Sequence, residues 1–298
     1  MNGERDRWAE WLLSRRHGDD AAVFERRLPN LHRFRDRVLD NAAIEPGDVI
    51  LDIGAGDGLI GFGALERTGA RGRVIFSDIS EDLLAECRRI AAGMGVEAQC
   101  EFVRASADDL RPIPNESVDV ATTRSVLIYL DDKRPAFGEL FRVLKPSGRL
   151  SIFEPINRFG WPEPDHVFYG FDVRPVQHLA AKLKARYRQP DAHPLTNFDE
   201  RDLFRCAEEA GFQQVRLEYT AELKAWTLDT TDWDVLLKMS GNPLDPTLGE
   251  ELADALTPAE QTEFEAYLRP LVERGERRVG RSAEAFLTAV KPSLEGAS

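Results

Sequence analysis

The chain is short of cysteine, of positive charge and of long apolar runs, and each shortage removes a class of protein. Three cysteines occur in 298 residues. Cys87, Cys100 and Cys206 stand far apart and form no CxxC pair, so neither a disulfide framework nor a zinc site is indicated and no metal is expected. No apolar run approaches the ~20 residues a membrane helix requires. The first residues, Met1 to Arg7, lack the apolar centre of a signal peptide, so the expected compartment is a reducing cytoplasm, with no membrane partner. Lys and Arg number 39 against 52 Asp and Glu, a net charge of −13. The first lysine is Lys133, and Arg33, Arg35 and Arg37 are interleaved with Asp36 and Asp40. Such a chain repels a polyanion, which disfavours nucleic acid as a partner.

What remains has the composition of an ordinary globular chain, 42% hydrophobic and 31% charged, long enough for one large domain or a domain with a cap. It is organised around Val49-Ile-Leu-Asp-Ile-Gly-Ala-Gly-Asp-Gly58. Val49 to Ile53 reads as a buried strand in which Asp52 is the single polar residue. Gly54, Gly56 and Gly58 follow at alternate positions, and an apolar helical pattern begins at Leu59. Strand, glycine-rich turn and helix form the first unit of a nucleotide-type site in an open α/β sheet. Gly56 to Gly61 also satisfies GxGxxG, but the register is wrong for a dinucleotide. The glycine that follows the strand is Gly54, and the sixth position from it is Leu59.

The rest of the chain supplies more strands. Arg73 to Ile79 is the second, with Asp78 at its carboxyl end, placed to accept both hydroxyls of a ribose. Ser80 is the better helix cap beside it. Cys100 to Ala105 is the third, followed by the loop Ser106 to Leu110. Pro114 to Arg124 turns into the fourth and sets Thr123, Arg124 and Ser125 at the ligand crevice. A helix over 132–144 precedes Leu144-Lys-Pro-Ser-Gly148 and a fifth strand ending at Glu154. A helix over 198–211 leads to a sixth strand, Gln214 to Glu222, and Glu284 to Val290 is the last. Helices over 4–17 and 20–43 precede the first strand, with stripes of Trp8, Trp11 and Leu12 and of Leu31, Phe34, Val38 and Leu39. The connection 155–197, rich in aromatics and histidines, reads as a lid. Between 222 and 280 stand two capping boxes, Thr247 to Glu250 and Thr257 to Glu260. That segment is a helical cap or a dimerisation arm.

Asp52-x-Gly-x-Gly-x-Gly58 resembles motif I of the class I S-adenosylmethionine (SAM) dependent methyltransferases. The Leu144-Lys-Pro-x-Gly148 turn feeding a fifth strand is a second resemblance. Together they cover about Ile44 to Gln214 and the last strand. The resemblance implies a doubly wound, seven-stranded, mostly parallel α/β sheet (Rossmann-like) with helical N-terminal and cap additions. The division would be a cover over 1–43, a core over 44–221 plus 281–292, and a cap over 222–280. It also implies SAM as cofactor and S-adenosylhomocysteine (SAH) as product. The residues carried over are Asp52, Gly54, Ala55 and Gly56 at the first loop, Asp78 and Ile79 at the second, Ser106, Ala107 and Asp108 at the third, and Arg124. Ser106 stands where the family often has an acid, which passes the adenine amino group to Asp108 or to the backbone of Ala107. The Asn-Pro-Pro-Tyr type motif of base-amino methyltransferases is replaced by Thr122-Thr-Arg-Ser125.

Methyl transfer from a sulfonium is an in-line displacement, so positioning and exclusion of water carry most of the catalysis. A base is needed chiefly for a hydroxyl acceptor. The expected catalytic set is Tyr129 to orient the acceptor, with Glu154 and His166 as candidate bases. Arg124, Tyr129, Trp161 and Tyr169 are the expected substrate contacts, Arg124 by clamping an anionic group or else by pairing with Glu154. The reading is transfer to a small-molecule acceptor at O, N or S in an enclosed pocket, by a chain that could form a homodimer. The alternatives are a protein or RNA methyltransferase, or a SAM-binding protein without turnover.

Overall fold

The structure, a computed structural model, describes residues 5–187 and 190–293. The chain divides into two units: one of 31–156, 194–220 and 283–298, the other of 1–30, 157–193 and 221–282. The larger unit is built on a seven-stranded sheet. Its strands are β1 (Val49–Ile53), β2 (Arg73–Asp78), β3 (Cys100–Arg104), β4 (Val118–Arg124), β5 (Leu144–Pro155), β8 (Gln213–Trp226) and β9 (Arg278–Val290), with β6 (Val167–Phe168) and β7 (Phe171–Asp172) forming a separate hairpin. The order is β3-β2-β1-β4-β5-β9-β8. β1 is parallel to β2 and β4, β2 to β3 and β4 to β5, whereas β9 runs antiparallel to β5.

This sheet forms because its central strands are apolar on both faces, as strands covered by helices on each side must be. Successive side chains alternate between faces. The helices packed on the sheet are α2 (Ala21–Asn41), α3 (Leu59–Thr68), α4 (Glu81–Met94), α5 (Arg134–Val143) and α7 (Glu200–Glu209). Ile50, Val120, Phe153 and Phe286 enter one core with Val38 and Leu39 of α2, Ala64 of α3 and Leu84 of α4. Leu51, Ala121, Ile152 and Leu287 enter the other with Phe137 and Leu140 of α5 and Leu203 of α7. β9 begins six residues before the expected Glu284, and the Leu144–Gly148 turn is the irregular start of β5, where its register with β4 shifts.

The smaller unit holds α1 (Arg7–Glu10), α6 (Gln177–Leu183), α8 (Trp233–Leu237), α9 (Leu248–Ala255) and α10 (Pro258–Glu273). The start of the expected 4–17 helix lies outside the described residues; α1 covers four of the rest and passes into a wider-wound turn, Trp11–Arg15. Both capping boxes are formed, Thr247 with Glu250 and Thr257 with Glu260. Phe168, Phe171, Leu179, Trp233, Leu252, Phe264 and Leu268 share one core. The Trp11 indole donates to the Ser240 carbonyl at 3.0 Å, and Arg27 pairs with Asp229 at 2.7 Å. The cover, the lid and the cap, read as three additions in the sequence, therefore include segments of one unit. The lid and the cap pool their apolar surface in its core, which neither segment has enough of to build alone. Among the described residues no helix is long and apolar enough to cross a membrane.

Candidate cofactor and acceptor site

The loop after β1 is shaped by glycines in the left-handed region, with φ of 63° at Gly54 and 58° at Gly56. A Cβ on Gly54 would lie 2.2 Å from Cγ2 of Val126, so no larger residue fits there. Asp52 is buried. Its carboxylate accepts the Gly61 amide at 2.9 Å and the Thr122 hydroxyl at 3.2 Å, tying the first turn of α3 to β1 and β4. Burial pushes this carboxyl up to about 7, against the pull of the Gly61 and Thr122 hydrogen bonds and the Arg124 charge. The Ala55 amide donates to the Ser77 carbonyl at 2.9 Å, fixing the loop against the end of β2.

At the end of β2 a single carboxylate joins two elements. The Gly56 amide donates to Asp78 Oδ2 and the Ser80 amide to Oδ1, both at 2.9 Å, while the Ser80 hydroxyl caps α4 through the Leu83 amide. Ile79, beside Asp78, is 38% exposed. The Ala105 amide donates to the Asp78 carbonyl at 3.0 Å and so brings the third loop to the second. In that loop the Ser106 hydroxyl is bonded to the Asp108 carboxylate, Ala107 is buried, and Asp109 pairs with Arg111. The structure thus gathers Asp52, Gly54, Ala55, Gly56, Asp78, Ile79, Ser106, Ala107 and Asp108 around the carboxyl ends of β1, β2 and β3.

Arg124 ends β4 half-buried, and among the described residues it makes no salt bridge. Ser125 then takes a φ of 56°, and the chain turns sharply into Leu127–Tyr129. Glu154 is fully buried beneath this turn. One of its oxygens accepts the amides of Val126 and Leu127, both at 2.9 Å, and the other accepts that of Ile128 at 3.2 Å. Burial pushes its carboxyl up to about 7, opposed by those three amides and by the charge of Lys133. The geometry makes Glu154 an anchor for the turn. Tyr129 lies in the same turn, partly packed against the core.

Lys133 was invisible as a functional residue in the sequence, where a lysine before a helix reads as solvated. In the fold it is buried, donating to the carbonyls of Leu130 at 2.6 Å and Pro194 at 3.3 Å and to Asn197 Oδ1, above the Phe198 ring. Burial lowers its ammonium to about 8. Thr122 and Val126 were also missed, because their partners Asp52 and Gly54 are some 70 residues away in sequence and met only through strand pairing.

His166, Trp161 and Tyr169 belong to the smaller unit. His166 is exposed, and its carbonyl accepts the Val173 amide at 2.8 Å. Trp161 is half-buried. The Tyr169 ring packs on Phe168 at 4.9 Å between centroids, and burial pushes its hydroxyl up. The Glu163 carboxylate holds the Tyr169 and Gly170 amides at 2.9 and 2.8 Å. The same unit has an open cavity of about 600 Å³ beside Glu10, Arg15, Asp234, Lys238 and Glu250, which involves none of the expected site residues. No group of three metal-ligating side chains occurs among the described residues.

A sheet ordered in this way, with an acid in β1, glycines after it and a second acid at the end of β2, places the protein among the class I methyltransferases. It belongs to the ubiE/COQ5 methyltransferase family, whose model matches residues 28–225. A relative from Cronobacter sakazakii, the ubiquinone/menaquinone biosynthesis C-methyltransferase UbiE, is 30% identical over 62% of this chain and 74% of its own length. The protein of that name from Vibrio cholerae is 32% identical over 62% and 72%. Among solved structures, Bacillus halodurans BH2331 aligns over 87% of this chain and 99% of its own with a TM-score of 0.55 at 20% identity. Bacillus subtilis YcgJ aligns over 88% and 99% with 0.53 at 16%. These two show the shared fold.

Proposed function

We propose that this enzyme transfers a methyl group from SAM to a small-molecule acceptor, and that the acceptor atom is a carbon of an electron-rich, oxygen-bearing ring. The observation that carries the cofactor half is Asp78. Its carboxylate closes the end of β2 beside the Gly56 backbone and an exposed Ile79. A carboxylate is acceptor-only and each of its oxygens can take more than one donor, so the group that holds the Gly56 and Ser80 amides has the chemistry to accept ribose hydroxyls as well. The residues present fit a sulfonium nucleoside. Gly54 and Gly56 let it approach the backbone, Ile79 offers a flat ring an apolar face, and Ser106 and Asp108 offer polar atoms to its edge. When bound, SAM supplies an electrophilic methyl group.

The acceptor half rests on the relatives and on Arg124. The relatives are named for carbon methylation in quinone biosynthesis, which adds carbon to the O, N and S acceptors expected from the sequence. A ring carbon is made nucleophilic by an ionised oxygen beside it, and a guanidinium at the end of β4 that makes no salt bridge among the described residues suits holding that oxygen as its anion. Residues 226–282 lie outside the family match, so the acceptor itself need not be the one the relatives take.

Methyl-labelled SAM incubated with cell extract, then split by ultrafiltration, tests this reading. Label in the small-molecule fraction supports it, and mass analysis of the product locates the new C–CH3 bond. Label in protein or RNA would overturn the substrate class. SAH binding without label in either fraction would favour a binding protein.

A further inference from the structure

Glu154 on β5 and Gly54, just past β1, are separated by β4, yet one chain of contacts joins them. The carboxylate at the end of β5 gathers the amides of Val126, Leu127 and Ile128. Val126, held by its own amide, turns its side chain against Gly54, the first glycine of the loop after β1, where a Cβ would come within 2.2 Å of it. The far end of the same segment is held by a second buried charge, Lys133, through the Leu130 carbonyl. Two buried charges of opposite sign therefore fix the five-residue segment 126–130 at both ends. A solvated turn would need neither, since burying ionised groups is costly unless each is fully bonded.

We infer that Glu154 is a positioning residue of the methyl-donor site, setting the glycine loop through Val126 and the turn that carries Tyr129. The inference rests on the reading that the loop after β1 binds SAM. It gives Glu154 a task other than proton transfer. Glu154→Gln keeps the shape but turns one oxygen into an –NH2 that faces an amide N–H, so the turn must shift. The groups facing Glu154 are few. Lys133 acts on its charge, and the register partner of Glu154 on β9 is the apolar Ala285; the nearest charged residues on the flanking strands, Arg124 on β4 and Glu284 on β9, are the partners of the adjoining Phe153 and Pro155, and Glu284 pairs with Arg33.

The test is SAH affinity by titration calorimetry on wild type, Glu154→Gln, Val126→Ala and the double variant. Glu154→Gln should bind SAH about tenfold more weakly, as expected for losing one charged buried hydrogen bond. Val126→Ala should weaken SAH at least about fivefold, and adding Glu154→Gln to it should cost little more, because coupled residues are not additive. Glu154 grips three amides as the carboxylate, so wild-type affinity should rise between about pH 6 and pH 8 by a component that Glu154→Gln lacks. Additive losses, or identical pH profiles, would overturn the inference. So would a Val126→Ala variant with wild-type affinity, which decides the matter even if Glu154→Gln does not fold. Wild-type protein that fails to bind SAH at all would instead remove the cofactor reading, and this inference with it.

Discussion

At the scale of single residues, the site is a set of carboxylates given different work by their surroundings. Asp78, whose carboxylate holds the Gly56 and Ser80 amides, is the one proposed to take the ribose. Asp78→Ala should weaken SAM and SAH alike by ~1–3 kcal/mol, the cost of lost charged hydrogen bonds; equal affinities in a calorimetric titration would mean the ribose lies elsewhere. Arg124→Ala should raise the acceptor KM or lower kcat while SAH affinity stays near wild type, and a large loss of SAH affinity would reassign it to the cofactor. Asp52 is sealed inside, its carboxyl pushed up to about 7. Its folded value lies above its unfolded one, so its contribution to stability is full below about pH 4 and is lost as pH rises through about 7. Asp52→Asn removes that dependence. Wild type should therefore lose ~1–3 kcal/mol relative to this variant between about pH 5 and pH 8, read from urea midpoints. Parallel curves would show that Asp52 does not titrate there.

At the scale of elements, local chemistry was legible wherever neighbours in sequence are partners in space. The glycine loop, the Ser80 cap and the two capping boxes formed where the residues placed them, because each needs only three or four consecutive residues. Thr257→Ala should cost about 1 kcal/mol by removing the cap of α10, whose Phe264 and Leu268 pack in the smaller unit's core. A urea titration followed by tryptophan fluorescence would show it, and an unchanged midpoint would mean that Glu260 caps the helix unaided. Glu154 was not legible in this way. The sequence presents an acid at a strand end, a proper place for a base, and only the adjacency of β5 to β4 puts three amides around it. Lys133 is the same case with the sign reversed.

At the scale of the whole molecule, all five tryptophans, Trp8, Trp11, Trp161, Trp226 and Trp233, fall in the smaller unit, while the expected SAM residues fall in the larger. Ligand binding stabilises the folded form that holds the site, by about 2.7 kcal/mol at a hundredfold excess over Kd. With SAH, the far-UV circular dichroism melt should gain a component at higher temperature, and the tryptophan fluorescence midpoint should move less. Equal shifts would mean that the two units unfold as one. The sequence by itself determined the strands of the main sheet, the first glycine loop and the acids in and at the ends of those strands. Periodicity, glycine and capping are properties of adjacent residues. Only the tertiary structure decided that the 155–197 connection and the 222–280 insertion pool one core with each other, and that Glu154 anchors a turn. Both depend on which distant segments share a face, and burial and hydrogen bonding between them are decided in three dimensions.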